Sequence, residues 1–202
     1  MRDECVPLRR TAVRAGVALL CTIGLGAAVS FAGAQTGEQG GATTSARTAE
    51  PGAHIRDLIP KAAMTGQGRF TWFGFHVYDG ALFASEGKFA VNQPFALELT
   101  YARELKGIKI AERSIDEIAA LGIGTGPERT AWLPLLARVF PDVRQGDRLT
   151  GVSSAGKAMI FFNGKATGEI TDATLARAFF AIWLDARTSA PTFRARLLGL
   201  DK

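Results

Sequence analysis

Tyr101 and Arg103 are the two side chains whose types and spacing best suit the recognition of an acid group. They follow Phe95, Leu97 and Leu99 at alternate positions in the stretch FALELTYAREL. Alternate residues of a β-strand project from the same side, so a regular strand here has an apolar face that ends in a phenol and a guanidinium. An arginine fork matches a carboxylate, and a tyrosine hydroxyl can add a hydrogen bond. The pattern therefore predicts a site for a small apolar or amphipathic acid.

The same pattern also fits a strand that simply ends in solvent. In that case Arg103 would pair with Glu98, Glu104 or another neighbour, and a surface ion pair of this kind contributes little to stability. Periodicity does not separate the two interpretations, because it fixes only that Tyr101 and Arg103 share a side of a regular strand.

Other chemistries find little support in the sequence. It contains neither a G-x-S-x-G nucleophile elbow nor a P-loop. The histidines are only two, His54 and His76, and a metal site needs several converging ligands. We therefore predict no metal, no cofactor and no catalytic residue of these classes.

The first 34 residues have the layout of a secretory signal peptide. Arginines precede an apolar run from Ala15 to Ala34, which ends in the A-x-A pattern, so Gln35 is the predicted first mature residue. An uncleaved membrane anchor is the alternative, because the run is near the length that spans a bilayer. The small residues at the end of the run favour cleavage, which predicts a periplasmic or secreted protein.

The remaining chain is predicted to fold without disulfides. Both cysteines, Cys5 and Cys21, lie in the leader, so the core alone must hold the mature protein together. Residues 35–52 are polar and rich in Gly and Thr and are interpreted as a flexible linker, and residues 53–202 as one domain. The formal net charge of the chain is +5, but the basic residues alternate with acids, so no nucleic-acid partner is predicted.

Strand patterns dominate the first and last parts of this domain. Strands are predicted over 68–78, 81–90 and 95–103, with Asp79-Gly80 as the turn between the first two. Further strands are predicted over 147–153, 157–162 and 165–170, joined by turns at Ser154–Gly156 and Asn163-Gly164.

Helical patterns lie between and after these strands. Apolar residues at 3–4 spacing predict a helix from Gly107 to Leu121, although a capping-box pattern at Ser114 allows a later start. Its charged residues are interpreted as a solvated side rather than as paired catalytic carboxylates: Glu112, Arg113, Asp116 and Glu117. Helices are also predicted over 129–140, after Thr171, and from Pro191. Together these elements predict an α+β fold with helices on one face of a mainly antiparallel sheet.

Five stretches, in this order, resemble the bacterial chalcone isomerase-like family: GQGRFTWFGFHVYDGALF, ALELTYARELKGIKIAERSIDEI, FPDVRQGDRLTG, KAMIFFNGKATGEITD and FFAIWLDARTSAPTFRARLLG. The resemblance extends from about Lys61 to Gly199. It implies an open-faced β-sandwich, in which a large antiparallel sheet is packed by a layer of helices.

The resemblance does not imply isomerase activity, because a fold hosts several functions. Plant chalcone isomerases use an arginine, a threonine, a tyrosine and an asparagine. The corresponding positions here hold Phe73 for the threonine, Ile110 for the tyrosine and Glu117 for the asparagine, and Arg69 lies about one position away from the arginine. The isomerase residues are thus largely absent, and we assign no catalytic residues.

Other members of the superfamily resemble fatty-acid binders, whose pockets hold the acid group with an arginine and a tyrosine. The candidate ligand-binding residues are therefore Tyr101, Arg103 and Arg69. The leading hypothesis is a secreted, non-catalytic protein that binds a small apolar or amphipathic carboxylate such as a fatty acid. An intramolecular lyase or isomerase with an unknown substrate and a structural interaction module are the alternatives.

Overall fold

Within residues 49–201, six antiparallel strands form one sheet in which spatial order follows chain order. The computed structural model describes residues 49–201, so the predicted leader and most of the predicted linker lie outside the described residues. The strands are β1 (Ala62–Trp72), β2 (Phe75–Ser85), β3 (Phe95–Tyr101), β4 (Arg148–Ser154), β5 (Lys157–Phe162) and β6 (Lys165–Ile170). The helices are α1 (Ala53–Arg56), α2 (Gly107–Ala120), α3 (Gly126–Val139), α4 (Ala173–Leu184) and α5 (Pro191–Leu197).

Helices α2 to α5 cover one face of the sheet and enclose the main core. β3 supplies Phe95, Leu97, Leu99 and Tyr101 to this core, which confirms the predicted alternation along that strand. The other face packs against α1 and the residues after it, where Ile55 and Ile59 are buried against Phe83, Val152 and Phe161. The predicted α+β fold, with an antiparallel sheet packed by a layer of helices, is confirmed.

Three two-residue turns connect neighbouring strands with the same backbone geometry. The central residues are Phe73-Gly74, Ala155-Gly156 and Asn163-Gly164, all with positive φ. Positive φ at both central positions is typical of the type I′ turn, whose twist matches that of the strands it joins. The predicted turns at Ser154–Gly156 and Asn163-Gly164 are confirmed.

The predicted turn at Asp79-Gly80 is wrong. Both residues lie inside β2, opposite Arg69 and Gly68 of β1, and the chain reverses at Phe73-Gly74 instead. Gly80 serves a packing purpose, because a Cβ at this position would lie 2.5 Å from the Phe193 ring of α5.

The helix boundaries differ in detail from the predicted ones. α2 begins at Gly107, as its longer apolar pattern predicts, and the Ser114 hydroxyl instead donates a hydrogen bond to the Ile110 carbonyl within the helix. α3 begins three residues before the predicted start, because Thr125 and Glu128 form a capping box. α4 is capped by Asp172 rather than by Thr171.

β3 ends at Tyr101, two residues before its predicted end. The chain bends at Ala102 and Arg103, and Leu105 then pairs with Val143 just before α2 begins. Arg103 therefore lies beyond the regular strand, and its direction is set by this bend rather than by strand alternation.

Candidate functional site

A cavity of about 280 Å³ lies between the sheet and the helix layer. Its walls come from β1 to β5, α2, α4 and the segment between α4 and α5. The side chains that form the apolar part of the wall are Phe70, Val77, Leu97, Leu99, Leu105, Ile110, Leu149, Ile160, Phe179 and Ile182. These residues leave few polar partners for a ligand inside the cavity, so its interior suits hydrocarbon.

A bulge in β2 brings two successive side chains to this cavity. Phe70 pairs with Tyr78, whereas Thr71 pairs with His76, so Val77 is an extra residue on β2. An extra residue bends the strand and interrupts its alternation. Val77 and Tyr78 therefore both line the cavity, although neighbouring residues of a regular strand point to opposite faces.

Two tyrosines supply hydroxyl groups to the cavity. The indole Nε1–H of Trp183 donates a hydrogen bond to the Tyr78 hydroxyl oxygen at 3.0 Å. The Tyr101 ring lies edge-on to the Tyr78 ring, with 5.8 Å between the ring centroids. Burial raises the pKa of both phenols well above the usual value. Both hydroxyls therefore carry their protons at neutral pH and can donate a hydrogen bond.

Three cationic side chains surround the mouth of the cavity. Lys109 is paired with Glu112 at 2.7 Å, and Arg113 is paired with Glu117 one turn further along α2. Arg103 forms no salt bridge with any residue between 49 and 201, and its guanidinium carbon lies 5.9 Å from the centre of the Phe75 ring. Of these three cations, Arg103 is the one whose charge is not already balanced by a carboxylate.

Glu117 also belongs to this mouth. Only 12% of its side chain is exposed, and its second carboxylate oxygen accepts a hydrogen bond from the Ser189 hydroxyl at 2.8 Å. The predicted solvated side of α2 is therefore wrong for Glu117, whereas Arg113 is exposed as predicted; both residues also line the cavity. Their spacing of four residues, next to the apolar Ile110, is the sequence signal that points to a shared location on one face of the helix.

The structure brings together two of the three predicted ligand-binding residues. Tyr101 is buried in the cavity wall and Arg103 lines the mouth. Arg69 does not line the cavity, because it is a neighbour of Phe70 on β1 and projects to the opposite face. There its Nε donates a hydrogen bond to Asp79 at 3.0 Å, and His76 lies 3.2 Å from the same carboxylate oxygen. This geometry does not support Arg69 as a ligand contact.

A separate polar cluster lies on the other face of the sheet. The Thr150 hydroxyl donates a hydrogen bond to buried Glu98 at 3.0 Å, and His54 Nε2 lies 3.3 Å from the same hydroxyl oxygen. Arg148 approaches Glu98 to 3.8 Å. Burial lowers the pKa of His54, an effect that the negative charge of Glu98 partly opposes. The cluster therefore holds a neutral histidine against the sheet at neutral pH.

The described part of the chain holds neither a metal-type cluster nor a membrane-spanning helix. Among residues 49–201, no group of three or more His, Cys, Asp or Glu side chains is arranged to hold a metal ion. Within the same residues, no helix is long and apolar enough to cross a bilayer.

Comparisons with known proteins agree with this architecture. The model of a family described as chalcone isomerase-like matches residues 62–199. An uncharacterized protein of Haemophilus influenzae is 28% identical over 156 residues, which cover 77% of this chain and 73% of that protein. The crystal structure of an Arabidopsis thaliana fatty-acid binding protein is similar with a TM-score of 0.54 and 11% identity, over 69% of this chain and 87% of that one. At this identity the structural similarity establishes the shared fold alone.

Proposed function

Because this chain belongs to the chalcone isomerase-like family, we propose that it uses the family's fold to bind a small apolar or amphipathic carboxylate, such as a fatty acid. The ligand's tail occupies the cavity between the sheet and the helices, and its acid group lies at the mouth. One observation carries this proposal: an apolar cavity opens beside an arginine that has no acid partner within residues 49–201.

The size and polarity of the cavity support a ligand with one hydrocarbon tail. Its volume of about 280 Å³ is near the lower end of the roughly 300–1,000 Å³ range of small-molecule pockets. A second acyl chain would need more room than this. Burying each methylene of the tail contributes about 0.8 kcal/mol, so most of the affinity comes from the tail.

Arg103 is the proposed partner of the acid group. Lys109 and Arg113 already face Glu112 and Glu117, whereas the guanidinium of Arg103 is available to form two parallel hydrogen bonds with a carboxylate. The protonated hydroxyl of Tyr101 is a further donor on the cavity wall. The Arabidopsis protein of similar fold is described as a fatty-acid binding protein, which supports the choice of ligand class.

Binding without turnover is the form of this proposal that the residue types favour. Ile110 and Glu117 line the cavity at positions where the resemblance to plant isomerases implies a tyrosine and an asparagine. Phe73, at the implied threonine position, lies on the β1–β2 turn and not on the cavity wall. An isoleucine cannot donate the proton or hydrogen bond that a tyrosine supplies.

Titration of delipidated protein with a fluorescent fatty acid tests the proposal. We expect saturable binding, and we expect Arg103→Ala to weaken it by about ten- to a hundredfold, since a hydrogen bond to a charged group contributes about 1.5–3 kcal/mol. Arg69→Ala is the matched control and should leave the affinity unchanged, because Arg69 is paired with Asp79 on the other face. A lack of saturable binding, or an unchanged affinity in Arg103→Ala, would contradict the proposal.

An intramolecular lyase is the second candidate, favoured by the two protonated phenols in one cavity. Hydroxyl donors aimed at a developing oxyanion can stabilise a transition state, and Tyr78 and Tyr101 both have raised pKa values. Conversion of naringenin chalcone faster than the spontaneous reaction, and its loss in Tyr101→Phe, would support this candidate. A conversion rate equal to the spontaneous rate would exclude naringenin chalcone as a substrate.

We also propose that the leader is removed and that the protein works outside the cytoplasm. The arginines and the apolar run before Ala34 support export. Mass spectrometry of the protein isolated from its host should find a mature terminus at Gln35. An intact leader would instead favour the anchored form.

A further inference from the structure

Three large aromatic side chains are exposed together at the end of the β1–β2 hairpin. The exposed fractions are 46% for Trp72, 86% for Phe73 and 66% for Phe75. We call these three residues the aromatic tip. They belong to neither of the two buried cores, although Trp72 also lines the cavity mouth.

The backbone at this tip does not favour a phenylalanine. Phe73 has a φ of +47°, a conformation that glycine and asparagine adopt readily and that bulky residues rarely adopt. The equivalent first turn position holds asparagine in the β5–β6 hairpin and alanine in the β4–β5 hairpin. The Phe73 ring lies edge-on to the exposed Trp72 ring, with 5.0 Å between the ring centroids, and belongs to neither core. Its presence points to a contact outside this chain.

Cationic groups lie against the aromatic tip. The guanidinium carbon of Arg113 is 4.5 Å from the centre of the Trp72 ring, and that of Arg103 is 5.9 Å from the centre of the Phe75 ring. Lys109 contributes a third cation at the adjoining mouth. Since Arg113 and Lys109 are paired with Glu117 and Glu112, Arg103 carries the charge that is not balanced. Aromatic rings with adjacent cations suit the boundary of a bilayer, where the rings enter the acyl region and the cations meet lipid phosphates.

We infer that the aromatic tip docks on a phospholipid surface. A narrow hairpin end with three protruding rings has the shape of an interfacial insert, whereas a standard protein interface needs about 800 Å² on each partner. The location of the tip at the cavity mouth would let a lipophilic acid pass between the bilayer and the cavity. That last step rests on the proposed function, but the docking itself does not.

Tryptophan fluorescence measures this docking locally. The chain has three tryptophans, and Trp132 and Trp183 are buried whereas Trp72 is exposed. Ligand-free protein is mixed with vesicles of phosphatidylcholine and phosphatidylglycerol that carry bromine on their acyl chains. We expect the Trp72 emission to shift to the blue and to lose roughly half or more of its intensity. The Trp72 emission is obtained by subtracting the emission of Trp72→Phe from that of the wild type. Binding of the whole protein to vesicles would not report on the tip, because residues 15–34 are apolar enough to bind vesicles on their own. The fluorescence of Trp72 is therefore measured instead.

Phe73→Asn is the decisive variant, because it removes the most exposed ring and introduces the residue that this turn prefers. The variant should fold at least as well as the wild type and should lose most of the lipid-dependent quenching. Val91→Ser is the matched control, since it removes a similarly exposed apolar side chain, 77% exposed, from the segment between β2 and β3. It should behave like the wild type.

The possible results distinguish docking on lipid from no docking and from association with a second copy of the chain. Trp72 emission that does not respond to vesicles, or equal quenching in Phe73→Asn and wild type, overturns the docking. A blue shift that appears without lipid and follows dimer formation by light scattering identifies a second copy as the occupant and also overturns it. Phe73 does not line the cavity, so Phe73→Asn should bind fatty acid like the wild type when no vesicles are present, and loss of either activity alone identifies which of the two proposals has failed.

Discussion

Tyr78 and Tyr101 line the same cavity but differ in their hydrogen-bond partners. Trp183 donates a hydrogen bond to the Tyr78 hydroxyl, whereas the Tyr101 hydroxyl has no protein hydrogen bond among residues 49–201. The first hydroxyl therefore has a structural role in the described fold. The second is available to a ligand.

Replacing each tyrosine with phenylalanine should separate these roles. Tyr78→Phe leaves the buried indole N–H without its acceptor, so we expect it to lower the free energy of unfolding by about 1–3 kcal/mol. Tyr101→Phe should change that free energy by less than about 1 kcal/mol and should weaken binding of the fatty acid instead. Urea denaturation and ligand titration of both variants measure this, and equal losses of stability would contradict it.

Glu117 places a negative charge at the mouth where the ligand's acid group is proposed to lie. We expect Glu117→Gln to tighten fatty-acid binding about fivefold, because removing a repulsion of about 1 kcal/mol also frees Arg113. Asp116→Asn is the control, since Asp116 is exposed and does not line the mouth. Weaker binding in Glu117→Gln, or the same gain in Asp116→Asn, would count against this location of the acid group.

At the scale of elements, local chemistry decides where helices and turns begin. The Thr125 hydroxyl and the Glu128 carboxylate satisfy each other's backbone N–H groups at the start of α3, which explains why this helix begins before its apolar pattern. The Asn163-Gly164 turn follows from its sequence for the same kind of local reason. The Phe73-Gly74 turn does not follow from its residue types, because phenylalanine is not a turn residue. The location of this turn is set by the pairing of β1 with β2.

The capping box gives a prediction for α3. Thr125→Ala should lower the free energy of unfolding by about 1 kcal/mol, since it removes the side-chain acceptor of the Glu128 N–H. Thr130→Ala is the matched control within the same helix; its hydroxyl donates to the Gly126 carbonyl, and alanine has the higher helix propensity. Denaturation curves that show equal effects for the two variants would contradict a specific role of the cap.

At the scale of the whole molecule, His54 links the segment before β1 to the far face of the sheet. Its ring lies 4.9 Å from that of Phe161, and its Nε2 lies 4.0 Å from the Glu98 carboxylate. The pKa of His54 in the folded protein is below its usual value of 6.5, mainly because of burial. The unfolded chain therefore binds this proton more readily than the folded one.

Through His54, a fall in pH should destabilise the folded protein. The contribution of His54 to stability is fully present above the unfolded pKa, and it is lost as the pH falls through the lower pKa of the folded state. Between about pH 7.5 and about pH 5.5 we expect the wild type to lose more thermal stability than His54→Gln, which has no such proton. Calorimetry measures the thermal stability of both proteins. Equal losses of stability in the wild type and in His54→Gln would show that His54 is not the titrating group.

Most of the fold could be predicted from the sequence because its signals are local. The alternation of Phe95, Leu97 and Leu99 identifies the core face of β3, and the 3–4 spacing along α2 identifies a helix that packs on the sheet. Two of the three two-residue turns follow from their residue types. The predicted turn at Asp79-Gly80 is wrong because here the glycine is required inside a strand, by the close approach of Phe193.

The candidate site could be predicted only in part. The residue types of Tyr101 and Arg103 indicate acid recognition, and both residues do lie at the cavity. The roles of Arg113 and Glu117 depend on which side of α2 meets the edge of the sheet. A local pattern does not determine that, because the contact is made between distant parts of the chain.

The sequence by itself determined the family, the α+β class and which residues of β3 face the core. These features depend on periodicity and on motifs within short stretches. Only the tertiary structure decided where the polar residues lie. The bend after Tyr101 brings Arg103 to the mouth, the packing of β1 places Phe70 at the cavity and so Arg69 on the opposite face, and the β1–β2 turn exposes the aromatic tip beside the cavity. These outcomes depend on contacts between residues far apart in sequence, which fix the direction of each side chain only when the sheet and the helices are packed together.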